Sequence, residues 1–313
     1  MKMQASRVGF STGNVNGELN ELSRRLDFFQ EIGANLAELT AVGLDVVSNC
    51  QIIEHRVDQL KKVLMNREME YTIHAPIAIN LLDNDHYDLH LRSVYAAIDL
   101  AEAISARLIV VHPGRAPREE WDIREQELLD LERSAMREVG QYAEERNILV
   151  AFENPSPNEH HFSGRAISYA LDPVRLAQMI REVNMDSVTA CLDISHAQQG
   201  AKLLSLNILE GVSALAPYVK HIHFSDSTGI PSDIIWDNNG ERLFMGIGDM
   251  HAPPGWGEIN FPALADTLWS NRPPSAGLLT TAIELRSNHI SHSSKETLRF
   301  AKSFTEEIMG THS

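Results

Sequence analysis

The sequence predicts an α/β protein folded as a single (β/α)₈ TIM barrel, and three observations carry that expectation. Eight short β-branched runs alternate with longer amphipathic stretches from one end of the chain to the other. The length, 313 residues, suits one such barrel. A doubly wound open sheet would place a Gly-rich phosphate turn after its first strand, and here Gly9, Gly13 and Gly17 lack the GxGxxG spacing.

The predicted strands, in order, are RVGF at 7–10, LAELT at 36–40, YTIH at 71–74 and LIVVH at 108–112. ILVAFE at 148–153, VTACLD at 188–193, VKHIHF at 219–224 and LTTAIEL at 279–285 complete the eight. Between them the amphipathic stretches 19–32, 88–104, 125–145 and 173–183 read as helices, with a last one over 295–308. That last helix places Leu298, Ala301 and Ile308 together and its charges elsewhere. The segment 225–259 is long, with turn residues at Thr228-Gly229, Asn238-Asn239-Gly240 and Pro253-Pro254-Gly255. A loop of that length after the seventh strand is read as functional. No linker, low-complexity tract or internal repeat interrupts the alternation, so residues 1–313 are expected to form one domain.

Composition narrows the function. With 43% hydrophobic and 22% charged residues, fibrous, collagen-like and wholly disordered readings are out, and the chain is long enough to bury a core. Lys plus Arg number 27 against 43 Asp plus Glu, a net charge of −16. Such a surface repels phosphate backbones and anionic membranes, which disfavours nucleic acid as a partner, although a local metal cluster could still attract a phosphate. The start, MKMQASRVGFSTGN, has no apolar core of signal-peptide length, and no run is long enough to span a membrane. Cys50 and Cys191 cannot make a disulfide framework, so a reducing, cytoplasmic location is expected.

The strongest signal is positional. Side chains at the C-terminal ends of barrel strands ring the mouth where chemistry sits. Strands three to eight end in His74, His112, Glu153, Asp193, His223 and Glu284, each a metal-ligand type. Asp plus Glu number 43 and His 14, so chance fills one such place about 18% of the time and all six on the order of 10⁻⁵ to 10⁻⁴. Any one of them alone reads as a core histidine or an ion-pair carboxylate; the convergence is what points to metal. His196 lies three residues past Asp193, and Asp249 with His251 forms a D-x-H pair in the long loop, a pattern that is weak by itself. His221 shares a strand face with His223 but sits deeper, so it reads as a barrel-interior side chain. His160, His161, His289, His292 and His312 read as surface.

Carried by YTIHAP, LIVVHPG, ILVAFENP, VTACLDISHA, VKHIHFSD, GDMHAPPGWGEINF and TAIELR, the chain resembles the xylose-isomerase-like TIM barrels over nearly its whole length. That superfamily holds sugar and sugar-phosphate isomerases and epimerases together with barrel-type apurinic endonucleases. The resemblance implies one divalent metal on Glu153, Asp193, His223 and Glu284. The endonuclease branch implies three zinc ions, with His74, His112, His196, Asp249 and His251 as the added ligands. EIGANLAELT is similar to the second strand of the sugar isomerases and would set Glu38 at the barrel mouth. Where the endonucleases carry a basic, aromatic DNA-inserting loop, AVGLDVVSNCQIIEH has no Arg, Lys or aromatic residue.

The expected function is therefore a divalent-metal-dependent sugar or sugar-phosphate isomerase/epimerase, with zinc (one to three ions) or manganese as cofactor. Glu153 and Glu284 would exchange the proton next to the carbonyl, through a metal-stabilised enediolate. His196 and Arg286 would hold substrate oxygens, while Trp256 and Glu258 would cover the sugar. The alternative is a trinuclear-zinc phosphodiester hydrolase in which Glu153 bridges two ions, favoured by five histidines among nine ligands. A non-catalytic sensing barrel would show broken ligand sets, and none is broken.

Overall fold

Eight parallel strands close into a barrel in a computed structural model of the chain, which describes residues 7–231, 234, 239–277, 279–286 and 290–310. The strands are β1 (Arg7–Ser11), β2 (Leu36–Thr40), β3 (Glu70–His74) and β4 (Leu108–Val111). They continue with β5 (Leu149–Glu153), β6 (Val188–Asp193), β7 (Val219–Phe224) and β8 (Thr280–Ile283). Each pairs with its sequence neighbour, and β8 returns to β1 with Thr280 opposite Arg7. Every residue of β4, β6 and β8 is buried, because strands of a closed parallel sheet face side chains inside and helices outside.

The helices on the outside are α1 (Leu19–Glu31), α2 (Glu54–Leu64), α3 (Tyr87–Ala103), α4 (Arg118–Glu144) and the short α5 (Glu159–Phe162). After them come α6 (Pro173–Val183), α7 (Ile194–Leu204), α8 (Ile208–Leu215), α9 (Asn239–Met245), α10 (Phe261–Asn271) and α11 (Ile290–Met309). Their buried residues recur at three- and four-residue spacing, as with Leu22, Leu26 and Phe29 on α1. α6 begins with Pro173 in its first turn, and the Asp172 side chain accepts the Val174 N–H, which satisfies one orphan donor. Among the described residues no helix is long and apolar enough to cross a membrane.

Several boundaries differ from the sequence expectation, the last helix among them, which begins at Ile290 rather than 295. β4 stops at Val111, so His112 belongs to the loop above it. β8 stops at Ile283, and Glu284 to Arg286 turn over the rim, although the Glu284 N–H still reaches the Phe224 carbonyl at 3.1 Å. α4 starts at Arg118 rather than 125 because a kink at Arg124 (φ −127, ψ 22) joins two helical pieces, the first of which buries Trp121. The segment expected as loop over 225–259 also contains α9.

At the bottom of the barrel a single glycine sets the strand spacing. A Cβ built on Gly9 would overlap the Leu36 carbonyl, so β1 and β2 approach as closely as they do only with glycine there. Gly9→Ala is expected to cost more than about 3 kcal/mol, read from denaturant unfolding.

Higher up, Glu132 on α4 is fully buried and accepts the Gly114 N–H at 2.6 Å, two residues past His112. The Gly114 carbonyl accepts the Ser168 hydroxyl at 3.1 Å, so the His-Pro-Gly turn is held from both sides. Burial pushes the Glu132 carboxyl from 4.5 up to about 7. A carboxyl that holds its proton more tightly in the fold stabilises fully below its unfolded value, and that stabilisation is lost as pH rises to about 7. Glu132→Gln keeps the acceptor and has no proton to lose. It should flatten this fall and gain on the order of 2–3 kcal/mol over the parent at pH about 8, by chemical denaturation across pH.

Candidate metal centre

At the barrel mouth the carboxylate of Glu153, 1% exposed, is surrounded by imidazoles. One oxygen lies 3.0 Å from His112 Nε2 and 3.4 Å from His74 Nε2. The other lies 3.0 Å from His196 Nδ1 and 3.2 Å from His223 Nδ1. His74, Glu153, Asp193 and His223 are on β3, β5, β6 and β7; His112 and Glu284 stand just beyond β4 and β8. All six predicted strand-end residues thus converge on one mouth.

Three groups of potential ligands share this space. The central one is Glu153, Asp193, His223 and Glu284, with His223 Nδ1 at 3.2, 3.8 and 3.7 Å from the three carboxylates. Two ligands of one ion, each about 2.1 Å from it, stand roughly 3–3.5 Å apart, which is near these spacings. On one side His74 and His112 share the outer oxygen of Glu153. On the other side Asp249 lies 3.4 Å from His196 Nε2 and 2.6 Å from His251 Nε2. Nδ1 of His223, Oδ2 of Asp193 and Oε2 of Glu153 are buried atoms with no hydrogen bond aligned on them. Buried polar atoms are costly unless partnered, and a mixed imidazole and carboxylate set fits a divalent cation of the zinc or manganese type.

A second layer aims these ligands. Glu38 is placed differently from expectation: it is fully buried beneath His223, not at the mouth. The register explains this, since Thr40, not Glu38, stands level with His74, leaving Glu38 one inward-facing layer lower beside Thr72. From there it accepts from His223 Nε2 at 3.1 Å and His221 Nε2 at 3.0 Å. With Nε2 committed to Glu38, the Nδ1 lone pair of His223 faces the other ligands. His221 is interior as expected, its Nδ1 2.6 Å from the Thr280 hydroxyl. Asn154, which the sequence reading did not single out, donates to the Asp193 carbonyl at 2.8 Å and accepts the Asp193 N–H at 2.9 Å. Asp193 caps α7 by accepting the His196 N–H at 2.6 Å through Oδ1, leaving Oδ2 for the site.

The long segment after β7 is organised by a residue that sequence reasoning also missed. Asp226, buried, accepts the N–H groups of Gly255, Gly257 and Ile259 at 2.7, 3.0 and 3.3 Å, and its backbone pairs with Ala252. The feet of the excursion before Asp249 are pinned together: the Thr228 hydroxyl donates to the Gly246 carbonyl and the Gly248 N–H to the Ile230 carbonyl. His251 adopts a left-handed backbone (φ 45), held by its ring on the Glu284 carbonyl and by the Arg286 N–H on its own carbonyl. Arg242 of α9, another missed residue, donates to the Asp249 carbonyl at 3.3 Å.

The remaining expectations divide. His196 and Arg286 lie against the ligand groups. Glu258 does not: it is exposed and pairs with Lys202 at 2.8 Å, because its N–H, bonded to the Ser227 carbonyl, fixes the turn that points it outward. Trp256 is 50% exposed on the same turn. His160 and His292 are exposed, as expected of surface residues. His161 instead is half-buried and accepts the Asn158 N–H in the cap of α5, and His289 and His312 lie outside the described residues.

Electrostatics favour positive charge here. Burial opposes charging His74, but the Glu153 carboxylate outweighs it and holds the ring up at about 9. Burial likewise opposes His251, and Asp249 holds it at about 9. Burial pushes Asp193 up to about 7, opposed by His196 and reinforced by Glu153 and Glu284. A cation must displace protons from His74 and His251, so metal affinity should rise with pH up to about 9, as measured by competition with a chelating dye. Asp249→Ala should lower metal content by about one ion per chain, read by mass spectrometry on protein purified without added metal.

A family model described as a xylose isomerase-like TIM barrel matches residues 26–303. An uncharacterized protein of Methanocaldococcus jannaschii, MJ1311, is 24% identical over 204 residues, which cover 64% of this chain and 60% of the relative. Among solved structures, a D-tagatose 3-epimerase-like protein superposes with a TM-score of 0.71 at 21% identity, over 96% of this chain and 98% of its own. The IOLI protein with a bound zinc atom superposes at 0.66 and 14% identity, over 98% and 99%.

Proposed function

Because the chain belongs to the xylose isomerase-like TIM barrel family, we propose that it is a divalent-metal-dependent isomerase or epimerase of sugars or their phosphates. The observation that carries this reading is the pair Glu153 and Glu284, one on β5 and one just past β8, whose carboxylates lie 3.2 and 3.7 Å from His223 Nδ1. The fold shared with an epimerase-like protein supports it. A divalent cation in the central group would polarise a carbonyl and its neighbouring hydroxyl. One glutamate takes the proton from the carbon beside the carbonyl, and the other returns a proton, to the opposite face for epimerisation. Glu284, with 14% of its side chain exposed against 1% for Glu153, is the more open to substrate. His196, whose Nε2 faces Asp249, is placed to hold a substrate oxygen.

The test is solvent deuterium wash-in. Ketoses and ketose phosphates incubated with the metal-loaded enzyme should gain deuterium at the carbon next to the carbonyl. Glu153→Gln and Glu284→Gln should each slow this by at least about a hundredfold. Full activity in both variants would remove their proton-transfer roles.

A second reading, trinuclear-zinc phosphodiester hydrolysis, is favoured by one observation: further ligand types flank the central group, with His74 and His112 on Glu153 Oε2 and His196 gathered with Asp249 and His251. Cleavage of abasic duplex DNA or a small phosphodiester by the purified protein, lost on chelation and without deuterium wash-in into any ketose, would decide for it.

A further inference from the structure

Among the described residues, one cation at the mouth has no hydrogen-bonded counter-charge. Arg286 follows Glu284 by two residues, and its backbone N–H bonds the His251 carbonyl, which sets it beside the His196–Asp249–His251 group. Both terminal nitrogens of its guanidinium are buried without a hydrogen bond, and no carboxylate pairs with it among the described residues. In a chain with 43 acidic residues this is unexpected. The next cation, Arg242 of α9, lies close enough to repel it, and that residue already reaches the Asp249 carbonyl. Burial and this neighbour both weaken the charged form of Arg286, with Asp249 opposing them.

Desolvated donors of this kind cost free energy unless an acceptor reaches them. A guanidinium fork fits two oxygens of a planar or tetrahedral oxyanion. A carboxylate would be neutralised by one arginine alone. Two adjacent arginines match the two charges of a phosphoryl group. We propose that Arg286, supported by Arg242, forms a phosphoryl-binding subsite at the outer edge of the metal centre, so that the substrate is a phosphate ester.

The subsite deepens the function proposed above and rests on it only for the identity of the ester. A sugar phosphate and a phosphodiester share the phosphoryl chemistry.

The experiment is calorimetric titration of the full chain, as purified with its metals, with inorganic phosphate. Arg286→Met should weaken phosphate binding by at least about tenfold, and Arg286→Lys by less, at unchanged metal content. Equal affinity in the parent and Arg286→Met, or no phosphate binding by the parent, overturns the inference. If Arg286→Met does not fold, Arg242→Gln replaces it, with weakened binding expected and unchanged affinity overturning the subsite. A ketose phosphate and a dialkyl phosphodiester, titrated against the phosphate-bound protein, assign the source by which of them displaces phosphate. Phosphate binding that depends on Arg286, with no deuterium wash-in, sinks the isomerase reading and leaves the subsite standing. Wash-in on an unphosphorylated ketose with no effect of Arg286→Met does the reverse.

Discussion

The structure of the barrel mouth depends on a carboxylate that has been taken out of water. Glu153 is 1% exposed, and an isolated buried carboxylate would be prohibitively costly. What makes the position tenable is the ring of His74, His112, His196 and His223, which places imidazole nitrogens within 3.4 Å of its oxygens. Those rings arrive from β3, the loop after β4, the first turn of α7 and β7, so the polar centre and barrel closure require one another. Remove the histidines and the charge has no counterpart; open the barrel and they no longer meet.

Around this centre, each ligand is aimed by a partner one step further out. Glu38 fixes the orientation of His223, Asn154 ties Asp193 to the end of β5, and Glu132 holds the turn after His112. Asp226 does the same for the segment bearing Asp249 and His251. These partners are buried polar groups with directional bonds, so the candidate ligands are held in place by the protein itself. Pre-positioned ligands lose little freedom on binding, which favours affinity and a defined geometry.

Much of this was legible in the sequence because a strand repeats every two residues and barrel chemistry gathers at strand ends. That logic located His74, His112, Glu153, Asp193, His223 and Glu284, and it separated His223 from the deeper His221. It misplaced Glu38, since alternation gives the direction of a side chain but not its height. Height depends on the register between strands, where Thr40 meets His74. It also missed Asp226 and Arg242 and misjudged Glu258. The directions of Asp226 and Glu258 follow from turn hydrogen bonds within 225–259, which have no period to read, and Arg242 lies on a short helix, α9, within a segment expected as loop.

The pinned feet of that segment have an evolutionary consequence. Thr228 meets Gly246, and Ile230 meets Gly248, so the chain leaves and re-enters the barrel rim at nearly one point. Asp249 and His251 follow at once, and Asp226 fixes what comes after them. Among the described residues between the feet is α9. The cost of closing such a loop grows only with the logarithm of its length, so residues can be added between the feet with little penalty, provided Arg242 of α9 still reaches the Asp249 carbonyl. Chain added there leaves the feet pinned and the positions of Asp249 and His251 unchanged.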